Sequence, residues 1–212
     1  MHPMFDDEAK LELQAAAHAV EATSAVELVV TVRPRGSSPL AADLVGGALL
    51  GYALLVFLLF APPEFSLWVF AVVVPLGFAI GAFGVHASPW AQRMLTRDRT
   101  LDAAVHTAAR AAFVELGIGA TRGRTGVLVF VAVAEARIVV VADTGILAAV
   151  PAPAWARAKR MIEAVPEHAG FGVEGVAALA DAITALGRTV SVSLPRAHDD
   201  VDELGAEIVI AG

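Results

Sequence analysis

Leu40–Phe60 reads LAADLVGGALLGYALLVFLLF, and Phe65–Val85 reads FSLWVFAVVVPLGFAIGAFGV. The first stretch carries one charge, Asp43, near its start, and the second carries none. At a rise of 1.5 Å per residue, about 20 residues cross a hydrocarbon core of roughly 30 Å. Each stretch is long enough to span. Between them Ala61-Pro62-Pro63-Glu64 leaves room only for a tight reversal, so the pair predicts a two-helix transmembrane hairpin, 40–60 and 65–85. A hairpin buried in a soluble core is the alternative, but two uncharged helical lengths in succession are hard to hide in so small a chain. A signal peptide is a poor fit, because the stretch starts some way in, behind the acidic Asp6-Asp7-Glu8, and lacks a basic leader.

Composition agrees. Of 212 residues, 57% are hydrophobic and 17% charged, against roughly 45–50% and about 25% in soluble domains. Cysteine is absent, which excludes disulfides, cysteine nucleophiles and thiolate metal sites. The net charge of -7 argues against nucleic acid as a partner. Orientation follows from the arginines. Arg33 and Arg35 precede the first span, Arg93, Arg97 and Arg99 follow the second, and the turn has only Glu64. The positive-inside rule then predicts that both termini are cytoplasmic and that the turn is outside. Trp68 and Trp90 sit near opposite ends of the second span, where aromatic belts form. Gly47 and Gly51, with Gly77 and Gly81, give small-xxx-small spacing on both helices, and Pro75 is a candidate kink.

Outside the spans the pattern alternates helix and strand. Residues 7–22 read as an amphipathic helix and 25–33 as a strand rich in β-branched residues, followed by a Pro34–Pro39 linker. Thr100 is the expected N-cap of a helix to about Leu116, ended by Gly117-Ile118-Gly119. Residues 126–134 (GVLVFVAVA) read as a strand covered on both faces, and 137–143 (RIVVVAD) as an antiparallel neighbour broken by Thr144-Gly145. Helices are expected from Pro153 to about Ala164 and over 174–186, with a short strand within 206–210. An isolated strand at 25–33 would leave its edges open, and its good partners are the strands at 126–143. The hairpin is therefore expected to be inserted within one discontinuous α/β domain, 1–36 plus 97–212, with a mixed β-sheet flanked by helices.

Chemistry-bearing motifs are sparse. Gly170-Phe-Gly-Val-Glu-Gly175 matches G-x-G-x-x-G, but helix rather than strand precedes it, so the dinucleotide context is missing. No Gly-Lys-Ser/Thr phosphate loop occurs. His198-Asp-Asp-Val-Asp-Glu203 is an acidic patch without the glycine of a calcium loop, and a solvated turn is its plain reading. His106 falls mid-helix, and no Ser-His-Asp spacing is evident. Asp143 stands at a strand end, where α/β sheets bind ligands. It reads either as a cation ligand or as an Asx-turn carboxylate closing a bend.

Thr121-Arg-Gly-Arg-Thr-Gly-Val-Leu-Val-Phe-Val through Ala142-Asp-Thr-Gly-Ile146 resembles the TPM-domain family, in its membrane-anchored bacterial branch. The family pattern is roughly T-x-x-R-T-G-V-L-I-F-V followed by A-D-x-G-I and, some ten residues on, a tryptophan, here Trp155. Thr23-Ser24 with Glu27-Leu28-Val29-Val30, Leu194-Pro195 and Asp202-Glu203-Leu204 resemble further family motifs in the same order. The resemblance implies an α/β sandwich and, in some members, divalent-cation binding (calcium or magnesium) near the strand ends. Asp143, Glu27 and, with an aspartate replacing the family's asparagine, Asp202 fall on the matching positions. It also implies phosphatase activity in plant relatives. The chain departs at Glu135-Ala136-Arg137, where the family has Glu-Arg. The expected function is a membrane-anchored, non-enzymatic module that binds a divalent cation or a protein partner (a membrane protein or a second copy), in assembly or maintenance of a membrane complex. A metal-assisted phosphatase and a purely structural membrane subunit are the alternatives.

Overall fold

The computed structural model of the protein describes residues 3–36, 40–95, 98–196 and 208–210. In chain order the elements are α1 (Asp7–Thr23), β1 (Glu27–Arg33), α2 (Leu40–Phe60), α3 (Leu67–His86), α4 (Pro89–Leu95), α5 (Asp98–Glu115), β2 (Gly126–Ala132), β3 (Arg137–Ala142), α6 (Thr144–Ala149), α7 (Ala152–Glu163), α8 (Val165–His168), α9 (Val173–Ser191) and β4 (Ile208–Ile210). Helices hold most of the chain, and the strands form one small mixed sheet in the order β3-β2-β1-β4. The chain divides into two compact units, Met1–Gly36 with Ala104–Gly212, and Ser37–Ala103.

The first unit is organised by β1 and β2, which pair in parallel from Glu27↔Gly126 to Arg33↔Ala132. β3 returns antiparallel on β2, and β4 adds in parallel to β1. Every residue of β2 is buried, as a central strand covered on both faces requires. On one face Leu28, Val30, Val127, Val129 and Val140 pack with Leu13 and Val20 of α1, Trp155 and Ile162 of α7, and Leu179 and Ile183 of α9. On the other, Val29, Leu128, Phe130 and Val139 pack with Val105, Ala109 and Ala112 of α5. The buried residues of α5 recur at helical spacing, which puts them on the one face that meets the sheet.

Buried and half-buried carboxylates tie the backbone where ladders end. Glu135, in the β2–β3 turn, accepts a hydrogen bond from Gly36 N (2.9 Å), holding the segment that leaves β1. Glu163, at the end of α7, accepts from Val140 N (3.1 Å). That caps a donor on the outer edge of β3 that would otherwise be open to pairing. At the start of β1, Glu21 accepts from Leu28 N (3.1 Å), and Ser24 bridges Pro195 while Ala25 N donates to the Leu194 carbonyl.

In the second unit α2 and α3 lie against each other through glycines. A Cβ on Gly81 would stand 2.6 Å from the Gly46 carbonyl, one on Gly47 would stand 2.8 Å from the Phe78 carbonyl, and one on Gly46 would overlap Val85. The glycine spacing thus serves contact within the hairpin. Both helices are long and apolar enough to cross a membrane, and only 22% and 11% of their most apolar windows is buried. A core helix would be mostly buried; these present Leu49, Phe57, Leu76, Ile80 and Phe83 outward. A polar pair stands at the end where the chain enters and leaves, with His86 Nδ1 2.9 Å from Asp43 Oδ2. α3 runs through Pro75 without interruption.

Several boundaries differ from expectation. α5 begins at Asp98, so Thr100 lies within it rather than capping it. Beyond the second span, which ends near Trp90 as expected, a break at Ala87-Ser88 is followed by a separate helix, α4, that carries Trp90. Thr144-Gly145 opens α6 instead of a turn, because Ile-Leu-Ala-Ala behind it are good helix formers and Asp143 is a good cap. α9 continues past Leu186 to Ser191.

The hairpin contact yields a paired test. Gly81→Leu should cost about 1–3 kcal/mol of unfolding free energy, the range for overpacking a close contact. Gly84→Leu, whose Cβ would meet nothing within 4 Å, should change little. Denaturant titration of the detergent-solubilised protein reads both.

Candidate functional site

Asp143 follows β3 directly. Its backbone N–H donates to the Gly126 carbonyl (2.9 Å), extending the ladder by one rung. The residue is only 5% exposed. Oδ1 accepts from Thr144 N (2.6 Å) and Thr144 Oγ1 (3.2 Å), which makes Asp143 the N-cap of α6. Oδ2 lies 3.0 Å from Arg124 Nε as an ion pair, though outside hydrogen-bond alignment.

The loop before β2 is shaped to deliver that arginine. Arg124 adopts a left-handed backbone (φ 54°), a conformation most side chains avoid. Neighbours hold it there. Arg124 N donates to the Thr121 carbonyl (3.1 Å), Gly145 N donates to the Arg124 carbonyl (2.9 Å), and Thr125 N donates to Thr121 Oγ1 (3.1 Å). Gly145 must be glycine, since a Cβ there would overlap the Gly123 carbonyl and stand 2.6 Å from that of Arg124. Thr121, Arg124, Thr125, Asp143 and Gly145 therefore form one locked corner at the sheet end.

Glu27 shares Asp143's sheet end and face. Glu27 pairs with Gly126, and Asp143 follows the Val127↔Ala142 rung, so the three occupy one row across the strands. They are not brought together. The Ile118 backbone packs over Gly126, in space a Cβ would occupy. Glu27 instead lines a cleft of about 230 Å³ with His18, Glu21, Ser24 and Arg196. Asp202 and the 198–203 acidic patch lie outside the described residues. Among the described residues no group of three or more His, Asp or Glu side chains could hold a metal. Calcium takes six to eight oxygens, whereas this corner presents one carboxylate that already faces a guanidinium.

Sequence reasoning missed Arg124 as the partner of Asp143. The T-x-x-R-T-G stretch carried it, but only the three-dimensional pairing of β2 with β3 brings residues 124 and 143 together. His106 is exposed on α5. Gly170 follows α8 rather than a strand; its left-handed φ of 65° turns the chain into α9, where Gly175 packs on the Gly170 carbonyl.

No family model matches the sequence, and no curated protein does. Among solved structures, the chain is similar to the NMR structure of BA42 protein from the psychrophilic bacterium Bizionia argentinensis. The TM-score is 0.56 at 18% identity, over 97% of this chain and 94% of that one. At that identity the likeness is one of fold.

The corner makes a quantitative expectation. Arg124 is half-exposed and its partner buried, so solvent screening trims the pair. Asp143→Asn and Arg124→Gln should each cost about 1–2 kcal/mol, with a coupling near 1 kcal/mol. A double-mutant cycle of chemical denaturation measures it; additive losses would mean the two residues act separately.

Proposed function

We propose that this chain is a membrane-anchored TPM-like α/β domain that works without catalysis, as a protein-interaction module in the plasma membrane of a bacterium. The observation that carries the anchoring is the hairpin. Gly46, Gly47, Gly51, Gly77 and Gly81 pack between α2 and α3, while large apolar side chains point outward along two helices of spanning length. Scattered exposed apolar residues are ordinary on soluble proteins; two continuous apolar helix surfaces mark lipid or partner contact. The arginines flanking the spans favour cytoplasmic termini and place the Ala61–Ser66 turn outside.

The interaction reading rests on what the α/β unit is built to do. Its buried carboxylates at 135 and 143, with the half-buried Glu163, are engaged in holding backbone and loop, which leaves them to structural work. Cation binding and metal-assisted phosphatase activity rest on the family resemblance. A purely structural role through glycine-faced packing in a larger complex is less favoured, because the glycines face the hairpin's own partner helix.

Two measurements check this reading. The wild type should stay with membranes through alkaline carbonate washing. Leu49→Arg with Ile80→Arg, placing two charges at mid-span at about 2.5–3.5 kcal/mol each, should release it. In-cell crosslinking should then give a discrete protein adduct that survives Asp143→Asn. Turnover of a phosphate ester that disappears in Asp143→Asn would replace the interaction reading with the enzymatic one.

A further inference from the structure

We propose that α4 is an interfacial helix that seats Trp90 and Met94 in the headgroup region of an anionic membrane, on the side where the hairpin begins and ends. The proposal rests on the membrane reading above and adds the lipid that α4 recognises.

The chain stops spanning for a stated reason. α3 closes at His86, three residues before Pro89, a residue with no N–H to donate to a continuing helical ladder. A new helix starts at once. Ser88 Oγ accepts from Ala91 N (3.4 Å) and the Ser88 carbonyl accepts from Gln92 N (3.1 Å). The Gln92 side-chain amide reaches back to the His86 carbonyl (3.0 Å) and satisfies one of the open acceptors at the end of α3. The break is therefore locked by hydrogen bonds, and α4 packs on both α2 and α3 within the hairpin unit.

What α4 shows outward is specific. Trp90 and Met94 are four residues apart, hence on one helix face, and are 71% and 73% exposed. The depth is marked by Asp43 and His86, the hairpin's polar pair, at the same end. Tryptophan beside such a boundary, with its apolar ring and one N–H donor, is suited to the headgroup layer. Charge complements it. The sequence places Arg93, Arg97 and Arg99 against a single acid, Asp98, in a chain whose net charge is -7. A basic cluster beside a span end is attracted to anionic lipid.

The test uses the full chain in vesicles. Tryptophan occurs three times, so Trp68→Phe with Trp155→Phe leaves Trp90 as the reporter, and Trp90→Phe with Trp155→Phe leaves Trp68. In phosphatidylcholine–phosphatidylglycerol vesicles, Trp90 emission should be blue-shifted and quenched most by lipids brominated near the headgroup. Both signals should weaken in phosphatidylcholine alone. Replacing the three arginines with glutamine should abolish that lipid dependence while Trp68 stays quenched. Water-like, unquenched Trp90 beside quenched Trp68 would overturn the proposal and leave the membrane reading standing. Equal quenching of Trp90 in both lipids would overturn the anionic preference. Quenching of neither tryptophan would overturn the membrane reading and this proposal with it.

Discussion

The seven-residue parallel pairing of β1 with β2 is the constraint on which the rest depends. Parallel neighbours cannot be joined by a tight turn; the connection must cross over. Here the crossover leaves at Arg33 and returns at Gly126, and it contains both apolar helices. The core of the α/β unit thus forms only when residues on either side of the hairpin meet. Such non-local pairing carries a closure cost that the local contacts of α2 with α3 do not. The hairpin is made of two helices adjacent in sequence, so its own contacts are local.

Polar groups inside the α/β unit are spent on that closure. Glu135 holds Gly36 as the chain departs from β1, and Asp143 with Arg124 holds the loop by which it re-enters the sheet at β2. Glu163 blunts the β3 edge. A buried carboxylate is costly unless it is hydrogen-bonded or paired, so Glu135 and Asp143, both buried, mark places where backbone had to be secured. That physical role is sufficient to explain why acids sit at strand ends in a chain with so few charges.

Much of the fold was legible in the sequence, for identifiable reasons. The helices at 40–60 and 67–86 announce themselves by length and lack of charge. The strands around 27–33 and 126–132 do so by β-branched runs bounded by turn residues, and the need of one strand for a partner gave the insertion. Boundaries set by side chains reaching across space were not legible. Helix α4 depends on Ser88 and Gln92 bonding around a proline, and α6 depends on Asp143 acting as a cap, which was weighed as a bend. The candidate site was legible in one residue. Asp143 could be picked out by its place after a strand, but its partner comes from a loop whose left-handed arginine has no signature in composition. Glu27 could be placed at the same sheet end, yet the Ile118 backbone that separates it from Asp143 follows from packing over Gly126.

The central claim is that one α/β unit on the cytoplasmic side is interrupted by a membrane hairpin whose turn faces outward. The absence of cysteine makes it directly testable by single-cysteine labelling in intact cells with a membrane-impermeant maleimide. The account predicts that Glu64→Cys, in the turn, is labelled from outside. Val192→Cys, exposed beyond α9, is labelled only after the membrane is opened. Labelling of Val192→Cys in intact cells, or protection of Glu64→Cys until the membrane is opened, would contradict it.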